Sequence, residues 1–338
     1  MIRCLLCNHF CNLANGQLGI CGVRQNQNGV LMSLNYGRLI TEAVDPIEKK
    51  PLFHFLPGTF TYSIATVGCN LRCDNCQNWS ISQVTSNNLQ NTNNSQISNF
   101  KFQIPGYNVS PDEVIKRALE SGCRSISCTY TEPTIFFEFA LACMKLAKEK
   151  GLKNVWVSNG YMSKSCLDEI IPYLDAINVD LKFFTEQSYL KNCGCHLGPI
   201  MENLKYLAKQ NVLLEVTTLL IPGLVEVDGQ LKKIAEFIAL ELSVDIPWHI
   251  SAFSPEISYR LQNSLSTPLS LIDQAYQIGK QAGLNYIYVG NVWNDDRENT
   301  YCPKCLFKII SRSGYQIKRH DNLGNCPSCG FKLPLKIA

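Results

Sequence analysis

Long apolar runs are missing from this 338-residue chain. None reaches 18 residues, so no membrane span is expected. The opening Met1-Ile2-Arg3-Cys4 lacks the apolar stretch of a secretory signal, which makes a cytoplasmic location the expectation. Charge is scarce as well. Only 17% of residues are charged, and 31 Lys and Arg against 28 Asp and Glu leave a net +3. That balance is too small to imply nucleic-acid binding. No long internal repeat appears, which excludes a solenoid. With 46% hydrophobic and 10% aromatic residues, the chain is long enough to bury one large core and carry small modules beside it.

Cysteine, by contrast, is abundant. Seventeen are present, and many fall into close sets: Cys4, Cys7, Cys11 and Cys21; Cys69, Cys73 and Cys76; Cys302, Cys305, Cys326 and Cys329. Disulfide-rich chains are usually exported, and nothing here directs export. Short loops of this kind let thiolates converge on an ion or cluster, so metal binding in a reducing compartment is the better reading. Cys123, Cys128, Cys143, Cys166, Cys193 and Cys195 are expected to be buried thiols.

Residues 1–60 read as a cysteine-bearing leader ending in Asp45-Pro46-Ile47-Glu48-Lys49-Lys50-Pro51, with Lys49 and Lys50 taken as a solvated basic turn. From 61 to 295 short β-branched runs alternate with helical stretches. Strands are expected near 63–68, 125–131, 154–159, 176–182, 213–221, 247–253 and 286–290. Helices are expected near 111–121, 134–150, 163–172, 198–210, 227–242 and 269–282. Ser110, Pro111 and Glu113 spell the start of the first as a capping box. Repeated βα units favour parallel strands joined by right-handed crossovers. Periodicity leaves a full barrel, a partial barrel and a doubly wound sheet open. Residues 84–105 are Asn/Gln-rich and read as a polar surface insertion. Residues 296–338 read as a small metal-supported module.

Gly68-Cys69-Asn70-Leu71-Arg72-Cys73-Asp74-Asn75-Cys76 directly follows the first core strand, at the end where parallel α/β folds place their sites. Three thiolates would leave one iron of a [4Fe–4S] cluster open; the competing reading is a zinc knuckle that borrows a fourth ligand. Further strand ends carry Thr131-Glu132-Pro133, Val157-Ser158-Asn159-Gly160-Tyr161 and Asp180-Leu181-Lys182. A carboxylate such as Glu132 can bind a cation, neutralise a lysine or cap a helix, and Asp180 with Lys182 can form a structural ion pair. Asn159 offers donors and an acceptor. Thr217–Gly223 ends a strand abruptly at Pro222-Gly223, and His249 reads first as a satisfied structural histidine.

The CxxxCxxC loop with these strand ends resembles the radical-SAM superfamily. The resemblance implies a full or partial (β/α) barrel and a [4Fe–4S] cluster on Cys69, Cys73 and Cys76. S-adenosylmethionine (SAM) would occupy the open iron, be cleaved to a 5′-deoxyadenosyl radical, and lead to hydrogen abstraction from an unidentified substrate. By the same resemblance Glu132, Ser158, Asn159, Asp180 and Lys182 bind SAM, with Glu132 on its ammonium and Lys182 near its carboxylate. Asn75 departs from the aromatic residue common before the third cysteine.

Taken with the leader CxxCxxxC…C, the run Asp45–Phe55, Cys73-Asp74-Asn75-Cys76-Gln77-Asn78-Trp79 and Tyr288-Val289-Gly290-Asn291, nearly the whole chain resembles the AmmeMemoRadiSam-system radical-SAM enzymes. That implies a functional link to Memo-like and AMMECR1-like proteins. The family is also similar to pyruvate formate-lyase activating enzymes, which makes a glycyl-radical-enzyme activase the alternative function. A non-enzymatic Fe–S or zinc interaction protein is the alternative of a different class. A one-electron reductant is implied, with a small-molecule or protein substrate. Two CxxC pairs, Cys302/Cys305 and Cys326/Cys329, suit structural Zn²⁺, with a rubredoxin-like iron site as competitor. Cys4, Cys7, Cys11 and Cys21 suit Zn²⁺, an auxiliary Fe–S cluster or an unoccupied thiol set.

Overall fold

The computed structural model describes residues 1–83, 104–225 and 227–337. The expected polar insertion therefore lies almost wholly outside the described residues. Eight strands form the central sheet: β1 (Thr41–Pro46), β2 (Phe60–Ala65), β3 (Ser125–Cys128), β4 (Lys153–Ser158), β5 (Ala176–Asp180), β6 (Leu213–Leu220), β7 (Trp248–Ala252) and β8 (Ile287–Gly290). Their spatial order is their chain order. Strand β1 is antiparallel to β2, and β2 to β8 are parallel. An order without reversal removes the doubly wound alternative, which turns back at a switch point. Among the described residues β8 and β1 share no ladder, so the barrel is partial.

Period-two patterning explains the two faces. Trp156, Ile177, Val179, Val216, Trp248 and Ile250 are buried on one face, in the same core as the crossover helices. On the other face the register aligns Ser127 with Val155, Ala176 with Leu213, Asp180 with Thr217, and Thr217 with His249. That inner face is polar at one end and apolar at the other.

The helices begin where the capping residues stand. Ser110 accepts from Glu113 N at 3.2 Å and Glu113 Oε2 accepts from Ser110 N at 2.7 Å, the reciprocal box that starts α1 (Pro111–Glu120). Ser163 caps α3 (Lys164–Ile170), after α2 (Phe137–Glu149). Helix α4 (Glu186–Cys193) was not expected. Its sequence is polar, with only Tyr189, Asn192 and Cys193 buried, and it ends on Gly194 in the left-handed region. Helix α5 (Leu197–Leu207) follows it. The expected 227–242 helix is α-helical only over Lys232–Phe237 (α6), flanked by π-helical turns at Val227–Leu231 and Ile238–Leu242. Helix α7 spans Leu269–Gln281. No described helix is long and apolar enough to cross a membrane.

The leader fills the lower end of the half-barrel. Ile47, Leu52, Phe55 and Leu56 pack on Val155, Ala176 and Leu213, near the starts of β4, β5 and β6. Buried Glu215 accepts from Phe53 N at 3.1 Å, His54 N at 2.8 Å and His249 Nε2 at 2.6 Å. His249 is thus a structural residue. Lys50 is not solvated as expected: its side chain is 2% exposed and its Nζ lies 2.7 Å from Asp45 Oδ2. Burial draws it inward because Asp45 compensates the charge, although desolvation lowers its pKa to about 8. The C-terminal module is an antiparallel sheet of β9 (Thr300–Tyr301), β10 (Lys308–Ser313) and β11 (Gln316–Arg319). It reaches the leader through Arg312 Nη2, which donates to Phe53 O at 2.8 Å, and Lys336 N, which donates to His54 O at 2.8 Å.

Candidate metal and cofactor site

The CxxxCxxC loop leaves β2 through Gly68. Its φ is +97°, and a Cβ there would stand 2.7 Å from Cys21 O, so glycine is required on both counts. The loop is tied down by Arg72 N to Cys193 O at 2.8 Å and Asp74 N to Asn192 O at 2.9 Å. Leu71 N donates to Cys69 Sγ at 3.4 Å, and the Asn78 amide stands two residues beyond Cys76 and favours its thiolate. Such amide donors stabilise thiolates around a metal centre. Burial pushes the Cys69 and Cys76 thiols up, and the adjoining Cys193 thiol followed by burial does so for Cys73. Thiolates held in so dry a place need a cationic centre.

The strand ends bring the candidate cofactor residues to the loop. Glu132 is 3% exposed. Its Oε1 accepts from Thr134 N at 3.2 Å, Thr134 Oγ1 at 2.6 Å and Ser158 Oγ at 2.9 Å, and its Oε2 accepts from Asn159 N at 2.8 Å. All four donors are neutral, and no ion pair to Glu132 exists among the described residues. Burial raises its pKa against these donors. A buried carboxylate without a cation is an open place for an ammonium group.

Asn159 joins this carboxylate to the loop. Its Nδ2 donates to Asn70 Oδ1 at 2.8 Å and lies 3.9 Å from Cys69 Sγ. Gly160 makes the turn possible: φ is +75°, and a Cβ would stand 2.8 Å from Val179 Cγ1. Two buried polar atoms at these loops and strand ends, Asn70 Nδ2 and Thr217 Oγ1, have no partner, as groups awaiting a ligand would.

Asp180 and Lys182 stand on the neighbouring strand end, with Nζ 2.7 Å from Oδ2. Burial works against the Lys182 charge, but Asp180 and the Cys73 and Cys193 thiols outweigh it and hold its pKa well above the usual value. The donor set therefore fits a cluster with an amino-acid ligand: thiols, one unpaired buried carboxylate and one buried cation.

Three features here were not read from sequence. Cys193 sits against Cys73, though the Cys193-Gly194-Cys195 pair gave only its position as a signal. The 254–262 segment reaches the loop through Arg260 N to Asp74 O at 2.9 Å and a Trp79–Tyr259 stack at 5.7 Å. Asn70 carries the link between the loop and β4.

Cys302, Cys305, Cys326 and Cys329 converge separately, with all four Sγ atoms within 4.8 Å of one another. Two matching turns build the group: Leu306 N donates to Cys302 O and Gly330 N to Cys326 O, each at 2.9 Å. Cys4, Cys7, Cys11 and Cys21 line a different cavity, together with His9 and Arg24. None of the seventeen cysteines is in a disulfide, and the six expected buried thiols are buried.

A family model described as "Radical SAM superfamily" matches residues 63–238. The relative named Uncharacterized protein MJ0808, from Methanocaldococcus jannaschii, is 37% identical over 339 residues, covering 99% of this chain and 96% of its own length. MJ1632 of the same organism, provisionally named a glycyl-radical enzyme activating enzyme, is 25% identical over 199 residues, covering 56% of this chain and 66% of its own. Among solved structures, Streptococcus suis SuiB bound to precursor peptide SuiA aligns with a TM-score of 0.50 at 13% identity, covering 73% of this chain and 52% of that one. That likeness is one of fold.

Proposed function

Since the chain belongs to the radical SAM superfamily, we propose that Cys69, Cys73 and Cys76 hold a [4Fe–4S] cluster and that Glu132, Ser158, Asn159, Asp180 and Lys182 position SAM against it. When bound and reduced, the cluster supplies the electron that cleaves SAM and starts radical chemistry on a substrate. The carrying observation is the hydrogen-bonded line from Cys69 through Asn70 and Asn159 to Glu132, which ends on a buried carboxylate with no cation.

In this reading Glu132 takes the SAM ammonium while Ser158 and Asn159 keep the carboxylate aimed. Lys182, held cationic by Asp180, attracts the opposite end of the amino-acid group. The 254–262 segment packs on the loop through Arg260 N to Asp74 O and the Trp79–Tyr259 stack, a contact that would narrow access of water to a radical formed there. The Cys302/Cys305/Cys326/Cys329 group takes Zn²⁺, whose tetrahedral thiolate spacing matches Sγ atoms gathered within 4.8 Å. Anaerobic assay of 5′-deoxyadenosine formation, with a Glu132→Gln variant beside the parent, tests the reading.

The provisional name of MJ1632 favours a second reading, an activase that places the radical on a backbone glycine of a partner enzyme. One SAM consumed per partner radical supports it, whereas repeated turnover on a small molecule opposes it. Placement within the AmmeMemoRadiSam group, with its link to Memo-like and AMMECR1-like proteins, rests on the leader cysteines, Asp45–Phe55, Cys73–Trp79 and Tyr288–Asn291 together, and Asp45–Phe55 is the longest unbroken run among them. Its Lys50, Phe53 and His54 are buried in contacts with the half-barrel.

A further inference from the structure

The leader's cysteines do not behave like the C-terminal four. Cys4, Cys7, Cys11 and Cys21 surround a cavity of about 20 Å³ whose lining includes His9, Arg24, Thr134 and Ile135. One water needs roughly 10–15 Å³, so the four thiols line a small unfilled space rather than packing solidly on one another. Among the described residues, the C-terminal group is the one set of cysteines drawn together at single-ion range. Neither the leader four nor Cys69, Cys73 and Cys76 are drawn together at that range.

The local backbone repeats what the other sets do. Leu6 N faces Cys4, His9 N faces Cys7 and Val23 N faces Cys21, the same i+2 amide-to-sulfur turn seen at Cys69, Cys76, Cys305 and Cys329. A third observation concerns charge. Arg24 lines the cavity, is 3% exposed, pairs with Glu138 through Nη2, and leaves its Nε without a partner. A buried guanidinium beside four thiolates offsets the net negative charge of a thiolate-bound cluster.

The cavity is attached to the three-cysteine loop. His9 Nε2 lies 2.8 Å from Asn70 O, Arg72 donates to Ile20 O, and Cys21 O fills the space a Gly68 side chain would need. Thr134 and Ile135 come from the turn that Glu132 caps. We propose that Cys4, Cys7, Cys11 and Cys21 bind a second [4Fe–4S] cluster, charge-compensated by Arg24 and set directly behind the loop of Cys69. All four irons have a cysteine, so this centre has no open position for SAM.

The proposal is independent of the SAM reading and is tested apart from it. The full chain is reconstituted anaerobically with iron and sulfide, and iron, acid-labile sulfide and zinc are counted per chain. The parent is expected to hold about eight iron and eight sulfide in clusters, from two cubanes. A Cys69→Ala/Cys73→Ala/Cys76→Ala variant is expected to keep about four of each, with a Mössbauer signature of a four-iron cluster. Adding Cys7→Ala and Cys21→Ala removes it. Zinc, or iron without sulfide, at the leader cysteines overturns the proposal, as does a parent that stops at about four sulfide in a cluster whose spectrum shifts when SAM is added. The parent count needs no variant to fold. Arg24→Gln supplies a further reading: a lower reduction potential for the leader centre is expected, and an unchanged potential contradicts the charge argument.

Discussion

Replacing Glu132 by Gln keeps the shape of the side chain and removes its charge. Oε1 holds three of the four contacts, from Thr134 N, Thr134 Oγ1 and Ser158 Oγ, and an amide oxygen can keep them. The amide nitrogen then faces Asn159 N–H, so one hydrogen bond is lost and two donors oppose each other. That costs the apoprotein about 1–3 kcal/mol. Loss of the charge-assisted bond to an ammonium costs a further 1.5–3 kcal/mol or so of SAM affinity, roughly a 10- to 150-fold rise in Kd at 1.4 kcal/mol per tenfold. Isothermal titration of SAM into anaerobically reconstituted Glu132→Gln measures the second quantity, and thermal unfolding measures the first. Iron and sulfide content should match the parent, since Glu132 is no cysteine ligand. Parent-like SAM affinity in a folded, cluster-loaded variant would refute the placement of the ammonium at Glu132.

Three further outcomes follow from the packing. Gly68→Ala puts a Cβ 2.7 Å from Cys21 O and 2.9 Å from Val23 Cγ1 at a φ of +97°; it costs on the order of 1–3 kcal/mol or more and should cut cluster assembly, seen as lost visible absorbance. His54 is buried and its pKa is lowered to about 4 from 6.5, chiefly by desolvation. Its Nε2 takes Tyr288 OH at 2.7 Å and Nδ1 faces Pro334 O at 3.3 Å, which suits the neutral ring. Between pH 6.5 and 4 the unfolded chain binds the extra proton, so stability rises with pH and falls by up to about 3 kcal/mol on acidification. Denaturation across that window should show this slope, and a His54→Gln variant that keeps it in full would count against His54. Stripping metal from the C-terminal thiols should loosen 300–337, whose buried core is only Cys302, Ile309, Ile310, Cys326 and Leu333 with a few partners, as faster hydrogen exchange there while β2–β8 stay protected. Unchanged exchange after verified metal loss would show that the module stands without it.

Much of the core was legible because its strands are buried on the helix side and bounded by turn residues. Ser125–Cys128, Lys153–Ser158 and Ala176–Asp180 start within one residue of their expected positions and end one to three residues early. Thr41–Pro46 was not read, because Thr-Glu-Ala-Val-Asp-Pro has no sustained apolar alternation and its strand identity comes from pairing with Phe60–Ala65. Tertiary pairing also decides α4, whose polar sequence hides three buried residues. Lys50 was misread as solvated because composition shows a basic turn but not the Asp45 carboxylate that receives it. At the site, cysteine spacing and strand-end residues were visible locally. The links that join them, Asn159 to Asn70 and Arg260 to Asp74, connect residues 89 and 186 positions apart and are properties of the fold.

Cleavage of SAM through the three-cysteine loop is the central property to test in this chain. Parent and Cys73→Ala proteins, reconstituted and reduced anaerobically with SAM, are compared for 5′-deoxyadenosine by mass spectrometry. The account predicts product from the parent and none above background from Cys73→Ala. Equal product from both, or a parent that assembles no cluster on Cys69, Cys73 and Cys76, would contradict it.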